Sequence, residues 1–423
     1  MPNSQDLAHV PPTRPAAARD VLVTGVGILT SLGLGWRANA DGFRTGRVAL
    51  FPITAFDASR QSVRTAGQVT LPSDLPPHGL PAADVRRIER GGKLLLHAGY
   101  ECLQAARLIA ADVPDNLRIV LGTSAGAMAH GEDFFQHALA ADGSRCGQTA
   151  RAAAYLVSHQ AGLLGRAFGI PAPLTILSNA CASGANALGH GYDCIRSGRS
   201  DMVIAGGYDA LSHLVFAGFD TLKALSQTLP RPFAADRDGL ALGEGAAIFV
   251  LESRAHAMAR HAPVLAELAG YGFATDIHHL TQPHPHGQAA VRSMEMASRR
   301  AQISPDTVQY INSHGTGTPL NDPAEAAAIG TWAGAAAAGI AVSSTKGNIG
   351  HLLGGAGAVE AAVCLMAMAE GFLPPTTNVG VPDPCCTFDL ITQPRAATLH
   401  TTLTNSFGFG GSNATLIFRR PCL

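Results

Sequence analysis

No long, clean apolar run occurs in this chain of 423 residues; the best candidate, Leu352 to Leu373, is broken by glycines and by Glu360 and Glu370. A buried helix is expected there rather than a bilayer span. The eight cysteines include no CxxC pair at zinc spacing and form no regular framework. They fit reduced, mostly buried residues in a reducing compartment, and the adjacent pair Cys385-Cys386 suits neither an ordinary bridge nor a metal clamp. Residues 1–19 are rich in Pro and Ala, without a basic segment followed by an apolar core, so no secretory signal is expected. Charge is scarce and nearly balanced, with a formal net charge of −1, which gives no general electrostatic reason to bind nucleic acid. Gly25-Val26-Gly27 lacks the third glycine and the acidic ribose partner of a dinucleotide loop. A cytoplasmic protein with neither a membrane nor a nucleic acid as partner is expected.

What is present is a large apolar fraction, 47%, rich in Gly and Ala, which describes a densely packed enzyme-like body. Strand-like runs start at Asp20 and recur at Arg118–Gly122, Thr175–Leu177, Met202–Gly206 and Ala246–Leu251. Helical stretches lie between them at Ala150–Gly162 and Ser183–Ser197. A second series from Val264 has strands at Val308–Ile311 and Ile340–Ser343, a helix over Ala356–Ala369 and a closing strand at Ala414–Phe418. The alternation predicts an α/β architecture with helices on buried sheets. In each half an apolar strand leads to a Gly/Ala-rich helix start bearing a reactive residue, Cys181 or His351, which points to an internal duplication. The expected organisation is a flexible extension over 1–19, a first half over 20–262 and a second over 263–423.

Cys181 follows a strand and a sharp turn, in Ser178-Asn-Ala-Cys-Ala-Ser-Gly184, near the start of a helix whose free N–H groups favour a thiolate. In this frame alone it reads as well as a buried structural cysteine. Two histidines in Gly-rich loops change the balance: His314 in His-Gly-Thr-Gly-Thr-Pro and His351 in Lys346-Gly-Asn-Ile-Gly-His. A turn-borne cysteine with two such imidazoles forms a far more specific set than any one of them.

These segments resemble the β-ketoacyl-acyl-carrier-protein synthases of thiolase fold, in the elongating type II branch with a Cys-His-His triad. The resemblance extends to Arg231-Pro-Phe, Arg237-Asp-Gly-Leu-Ala-Leu-Gly-Glu-Gly, Gly354-Gly-Ala-Gly-Ala-Val-Glu360 and Asn405-Ser-Phe-Gly-Phe-Gly-Gly-Ser-Asn413, nearly collinear from about residue 20 to the C-terminus. It implies a thiolase-like fold of duplicated βαβαβαββ halves in a five-layered α-β-α-β-α arrangement. It also implies decarboxylative Claisen condensation of an acyl-enzyme with a malonyl carrier protein in fatty acid biosynthesis. Cys181 would carry the acyl thioester, and neutral His314 and His351 would stabilise the enolate. The backbone N–H groups of Cys181 and Phe409 would form the oxyanion hole, and Lys346 would hold its loop through Glu360. Thr316 and Thr318 would bind the pantetheine arm. No metal or organic cofactor is implied. The partners are an acyl carrier protein and a second ketosynthase-like chain, as homodimer or heterodimer. His351, where initiating synthases carry Asn and thiolases a cysteine elsewhere, favours elongation.

The resemblance places Ala125, in Gly122-Thr-Ser-Ala-Gly, at the end of the acyl tunnel, where its small side chain leaves room for a longer chain, or is simply a repacked core alanine. Phe219 would line the same tunnel. Asp276-Ile-His278-His279-Leu-Thr-Gln-Pro-His284-Pro-His286 does not have helical metal-ligand spacing. By resemblance it is a mobile loop that gates the pocket with Phe407, Gly408, Gly410 and Gly411, latched by Asp276. Arg86, Arg87 and Arg90, at i, i+1 and i+4 of an expected helix, are either a carrier-protein contact or a solvated face. Three rivals stand beside the main reading. A dedicated type II polyketide or polyene pathway is favoured by Ala125 and the unusual gate. A non-catalytic chain-length subunit is opposed by the retained Cys181, His314, His351 and Lys346. A cysteine hydrolase would need one histidine oriented by Asn or Asp, plus water access.

Overall fold

A computed structural model describes residues 19–109, 113–140 and 148–421; the expected extension over 1–19 lies outside the described residues except for Arg19. The first strand, Val21–Thr30, is buried along its whole length. Its glycines permit a close approach. A Cβ at Gly25 would stand 2.6 Å from the Cys102 carbonyl oxygen, and one at Gly27 would overlap that of Ala98, both on helix Arg90–Ala105. The second half repeats the device. On strand Ala266–Thr275, Gly270 and Gly272 lie under the Ala297 and Ser293 carbonyls of helix Gln288–Ala301.

The duplication appears in the strand order. The first half runs Leu174–Leu177, Arg118–Gly122, Met202–Asp209, Gly245–Ser253, Val21–Thr30; the second runs Ala341–Ser343, Tyr310–Asn312, Thr401–Gly408, Ser412–Arg419, Ala266–Thr275, with one further edge strand, Asp389–Leu390, beside Ala341–Ser343. In both, the first three strands are mutually parallel and the last two pairings antiparallel. The sheets meet edge to edge where Leu22 faces Glu267 and Val23 faces Ala266.

Two helices lie between the sheets, Ser183–Arg196 and Ala356–Glu370, and nearly all their residues are buried. The stretch Leu353–Glu370 is long and apolar enough by composition to cross a membrane, yet 89% of it is buried inside the fold. Helix Arg90–Ala105 covers the outer face of the first sheet, and Gln288–Ala301, backed by Asn321–Ala333, covers that of the second. The result is five layers, α-β-α-β-α. The central helices cross on small residues: a Cβ on Gly184 would stand 2.8 Å from the Gly354 carbonyl oxygen, and one on Gly357 would touch Ala185. That close crossing brings the segment before the first helix, with Cys181, toward the segment before the second, with His351. The single helix expected over Ala150–Gly162 is two, Gln148–Tyr155 and Val157–Ala161.

Candidate active site

Cys181 sits between strand Leu174–Leu177 and helix Ser183–Arg196, one residue ahead of the N-cap Ala182. The reversal puts Ala180 in the left-handed region, φ 56°, a conformation costing roughly 1–2 kcal/mol for a residue with a Cβ. Ser183 fastens this turn: its Oγ accepts from the Asn179 N–H at 3.0 Å and donates to the Ala180 carbonyl at 2.5 Å. Gly408 presses against the turn from the other side, where a Cβ would stand 3.1 Å from the Cys181 nitrogen. The Cys181 amide and the Phe409 segment are therefore neighbours.

His314 and Gly315 follow strand Tyr310–Asn312, and their N–H groups donate to the two oxygens of Glu325 at 2.8 and 2.7 Å. The amides of Thr316 and Gly317 donate to Asp322. Both carboxylates are buried on the first turns of helix Asn321–Ala333, and burial drives Glu325 up to about 7. His351 is placed by a tight approach of its loop to Leu242. Gly350 (φ 76°) leaves no room for a Cβ beside the Leu242 carbonyl, and the His351 N–H donates to the Ala241 carbonyl at 2.7 Å. The imidazole rings of His314 and His351 stand 5.3 Å apart at 85°, and Phe407 packs on His314 at 5.5 Å.

Lys346, 2% exposed, donates to Glu360, to the His314 carbonyl at 2.5 Å and toward His314 Nδ1 at 3.4 Å. An ammonium has no acceptor capacity, so Nδ1 accepts and the His314 proton resides on Nε2. Burial, reinforced by Lys346, holds both histidines well below the ordinary imidazole range, so both are neutral. Burial pushes Glu360 up to about 7 against the pull of Lys346. Burial of Cys181 pushes its thiol up to about 12, and Lys346 offsets this only in part.

A cavity of about 460 Å³ collects Cys181, His314, His351, Thr316, Thr318, Phe219, Asp276, Phe407, Gly408 and Phe409 on one wall system. The Thr316 and Thr318 hydroxyls are 2.9 Å apart, and Phe219 stacks on Phe409 at 5.9 Å. Two loops bordering the cavity are held to each other backbone to backbone. Asp276 N–H donates to the Gly411 carbonyl, and Gly410 N–H to that of Leu280, both at 2.7 Å. The Asp276 carboxylate holds the His-rich loop through the amides of His278 (3.0 Å) and His284 (2.8 Å).

Ala125 is buried in an apolar cluster with Phe216 and Leu211, against which the cavity-lining Phe219 packs. One expected placement differs. The three arginines do not share a helix, because the chain breaks at Ile88-Glu89. Arg86 caps the short helix Ala82–Val85, and Arg90 begins the next, for which Glu89 is the N-cap. Arg86 and Arg87 are exposed, whereas Arg90 turns inward onto Glu244, a carboxylate with no exposed surface, which also takes the amides of Val69 and Leu211. Arg90 is therefore a structural ion pair and leaves only Arg86 and Arg87 for a surface contact.

Sequence reasoning missed Asp322 and Glu325, whose signal is an acidic pair three apart directly after a Gly-rich loop. It also missed Asp209. This buried carboxylate, raised to about 6 by burial, accepts the Thr123 hydroxyl and the amides of Ser124, Ala125 and Gly354, and so ties the two halves behind the site.

Residues 18–257 match the beta-ketoacyl synthase N-terminal domain and residues 265–380 the beta-ketoacyl synthase C-terminal domain. The chain is 37% identical over 410 residues to the 3-oxoacyl-[acyl-carrier-protein] synthase 2 of Synechocystis sp., covering 95% of this chain and 98% of that one. The ishigamide ketosynthase/chain length factor superposes with a TM-score of 0.89 at 33% identity, covering 96% and 100% of the two chains. AntDE:AntF, a type II acyl-carrier protein in complex with its ketosynthase bound to the hexaketide, gives 0.86 at 29%, again covering 96% and 100%. The duplicated thiolase-type sheets, the Cys-His-His cavity and these matches over nearly the whole length place the chain in the β-ketoacyl synthase family.

Proposed function

We propose that the chain is a β-ketoacyl-[acyl-carrier-protein] synthase that elongates an acyl chain by decarboxylative condensation. The observation that carries this reading is the meeting of Cys181 with two neutral imidazoles, 5.3 Å apart, on one cavity. Cys181 takes the acyl group from the phosphopantetheine thioester of a carrier protein. Because its thiol is protonated at rest, the proton passes to the departing phosphopantetheine thiolate as the sulfur attacks and the old acyl–sulfur bond breaks. A malonyl thioester then enters past Thr316 and Thr318. Its carbonyl oxygen accepts hydrogen bonds from His314 and His351, which stabilise the enolate as carbon dioxide departs. The enolate carbon attacks the acyl-Cys181 carbonyl, the tetrahedral oxyanion lies at the amides of Cys181 and Phe409, and its collapse breaks the carbon–sulfur bond and frees Cys181. The covalent intermediate implies ping-pong kinetics. Lys346 fixes the His314 tautomer, and the latch of Asp276 with Gly410 and Gly411 excludes water that would hydrolyse the acyl-enzyme. No cofactor enters this scheme, and the enzyme works in the cytoplasm with an acyl carrier protein.

Fatty acid synthesis is the main reading, supported by the 3-oxoacyl-[acyl-carrier-protein] synthase 2 relatives. A dedicated polyketide or polyene pathway, with a chain-length partner in a heterodimer, is favoured by one finding, the similarity to the ishigamide ketosynthase/chain length factor. Intact-protein mass spectrometry with a panel of acyl-carrier proteins, alone and with candidate partner subunits, separates the two. A mass gain lost in Cys181→Ala is expected, and His351→Ala should acylate yet release no carbon dioxide from malonyl substrate. No acylation of the wild type by any donor overturns the proposal.

A further inference from the structure

Cys385 and Cys386 stand outside the condensation chemistry, and the structure ties them to it. Both are half-buried thiols on the turn that follows Pro384. Cys385, half-buried, borders an open surface groove formed by helix Asn321–Ala333 and the turn after it, lined by small residues such as Gly330 and Ala338. The neighbouring Cys385 thiol, together with burial, pushes the Cys386 thiol up, so Cys386 stays protonated. The turn hangs on Asp383: Cys385 N–H donates to its Oδ1 at 2.8 Å and Cys386 N–H to its carbonyl at 3.0 Å. The other carboxylate oxygen of Asp383 pairs with Arg237 at 2.5 Å. The buried Arg237 guanidinium in turn grips the carbonyls of Thr318 (3.2 Å) and Pro319 (3.3 Å), in the loop that forms one wall of the active-site cavity. The same turn packs in the apolar cluster that contains Phe407.

We propose that Cys385-Cys386 is a reversible dithiol–disulfide site whose oxidation loosens the Thr318 wall of the cavity. The oxidant is a low-molecular-weight disulfide. The Cys385 sulfur attacks one of its sulfurs, forming a mixed disulfide and expelling one thiolate. The Cys386 sulfur then attacks Cys385, its proton passing to the second thiolate as that thiolate is expelled, and the bridge closes. Two protons and two electrons pass from the protein to the reagent, which leaves as two thiols. Adjacent Cα atoms lie about 3.8 Å apart, short of the roughly 4.4–6.8 Å of ordinary disulfides, so the eight-membered ring is strained and readily reduced. Closing it turns the Cys385–Cys386 peptide, whose N–H now donates to the Asp383 carbonyl, and the displacement of Asp383 passes through Arg237 to Thr318.

The test treats the full-length protein with oxidised glutathione and maps the products by peptide mass spectrometry. The expected product is a peptide containing Cys385 and Cys386 that is lighter by two hydrogens, restored by dithiothreitol. The functional readout rests on the proposed activity: KM for malonyl carrier protein rises about fivefold on oxidation with kcat little changed, and Cys385→Ser/Cys386→Ser does not respond. The mapping arm stands even if that activity fails. Glutathione found only on other cysteines overturns the site, and a bridge that forms without moving KM in an active enzyme overturns the coupling.

Discussion

Replacing Lys346 with Met tests the electrostatic core of the site. Lys346 and Glu360 are 2% and 3% exposed, and the ammonium also serves the His314 carbonyl and Nδ1. Removing one member of a buried pair costs about 3–5 kcal/mol, whereas replacing both by apolar residues of similar volume is close to neutral. Lys346→Met should therefore lose about 3–5 kcal/mol in urea unfolding, and Lys346→Met/Glu360→Leu should regain most of it. The deficit also depends on pH. Glu360 is raised from an ordinary 4.5 to about 7 even with its partner, so its contribution to stability is fully present below 4.5 and lost as pH rises through about 7. Without Lys346 the folded value climbs further and the loss continues to higher pH, so the deficit of the single variant is larger at pH 8 than at pH 5.5. Activity follows a different rule. A hydrogen bond from a charged donor contributes about 1.5–3 kcal/mol, and the 3.4 Å reach to Nδ1 belongs at the lower end. The double variant, though stable, should release carbon dioxide from malonyl substrate about tenfold more slowly. A fully active double variant, or a single variant within about 1 kcal/mol of wild type, would refute the assignment.

Alkylation of Cys181 by iodoacetamide should keep accelerating above pH 9, because burial raises its thiol to about 12; a plateau reached by pH 8 contradicts a thiol that is protonated at rest. Gly411→Ala puts a Cβ into the Asp276 carbonyl at a φ of 81°. Opening the latch should raise hydrolysis of the acyl-enzyme at least about tenfold, since the left-handed strain alone is roughly 1–2 kcal/mol, while the melting temperature hardly moves; unchanged hydrolysis would show that the latch does not exclude water. Arg90→Ala strands the buried Glu244 and should lower stability by about 3 kcal/mol or more, whereas Arg87→Ala should change it by less than about 0.5 kcal/mol and weaken carrier-protein binding in titration calorimetry. Equal effects on stability from the two would remove the distinction between them.

The residues legible in the sequence are those whose chemistry dictates their neighbours. Cys181, His314 and His351 need loops that a bulky thioester can approach, and small or glycine neighbours mark all three. The strands were legible because buried parallel sheets leave continuous apolar runs. The illegible residues are charged groups whose surroundings come from elsewhere in the chain. Asp209 receives Thr123 from 86 positions away and Gly354 from 145 away, and Arg90 receives Glu244 from 154 away. Periodicity reports which face of an element is apolar, but not whether a distant segment covers the polar one. The arginines were misjudged for that reason, and because nothing between Arg87 and Arg90 announces a break except Glu89 acting as an N-cap. The helix start expected at Cys181 holds, one residue ahead of the N-cap Ala182; the burial that raises its thiol is a tertiary property and was not legible. One tertiary feature was written locally and overlooked. Gly25-Val-Gly27, weighed only as a poor nucleotide loop, has its counterpart in Gly270-Tyr-Gly272, each on the first strand of its half beneath a helix backbone. The pair is the sequence signature of the duplication, and it is visible once glycine is read as space for a neighbouring helix rather than as a phosphate cradle.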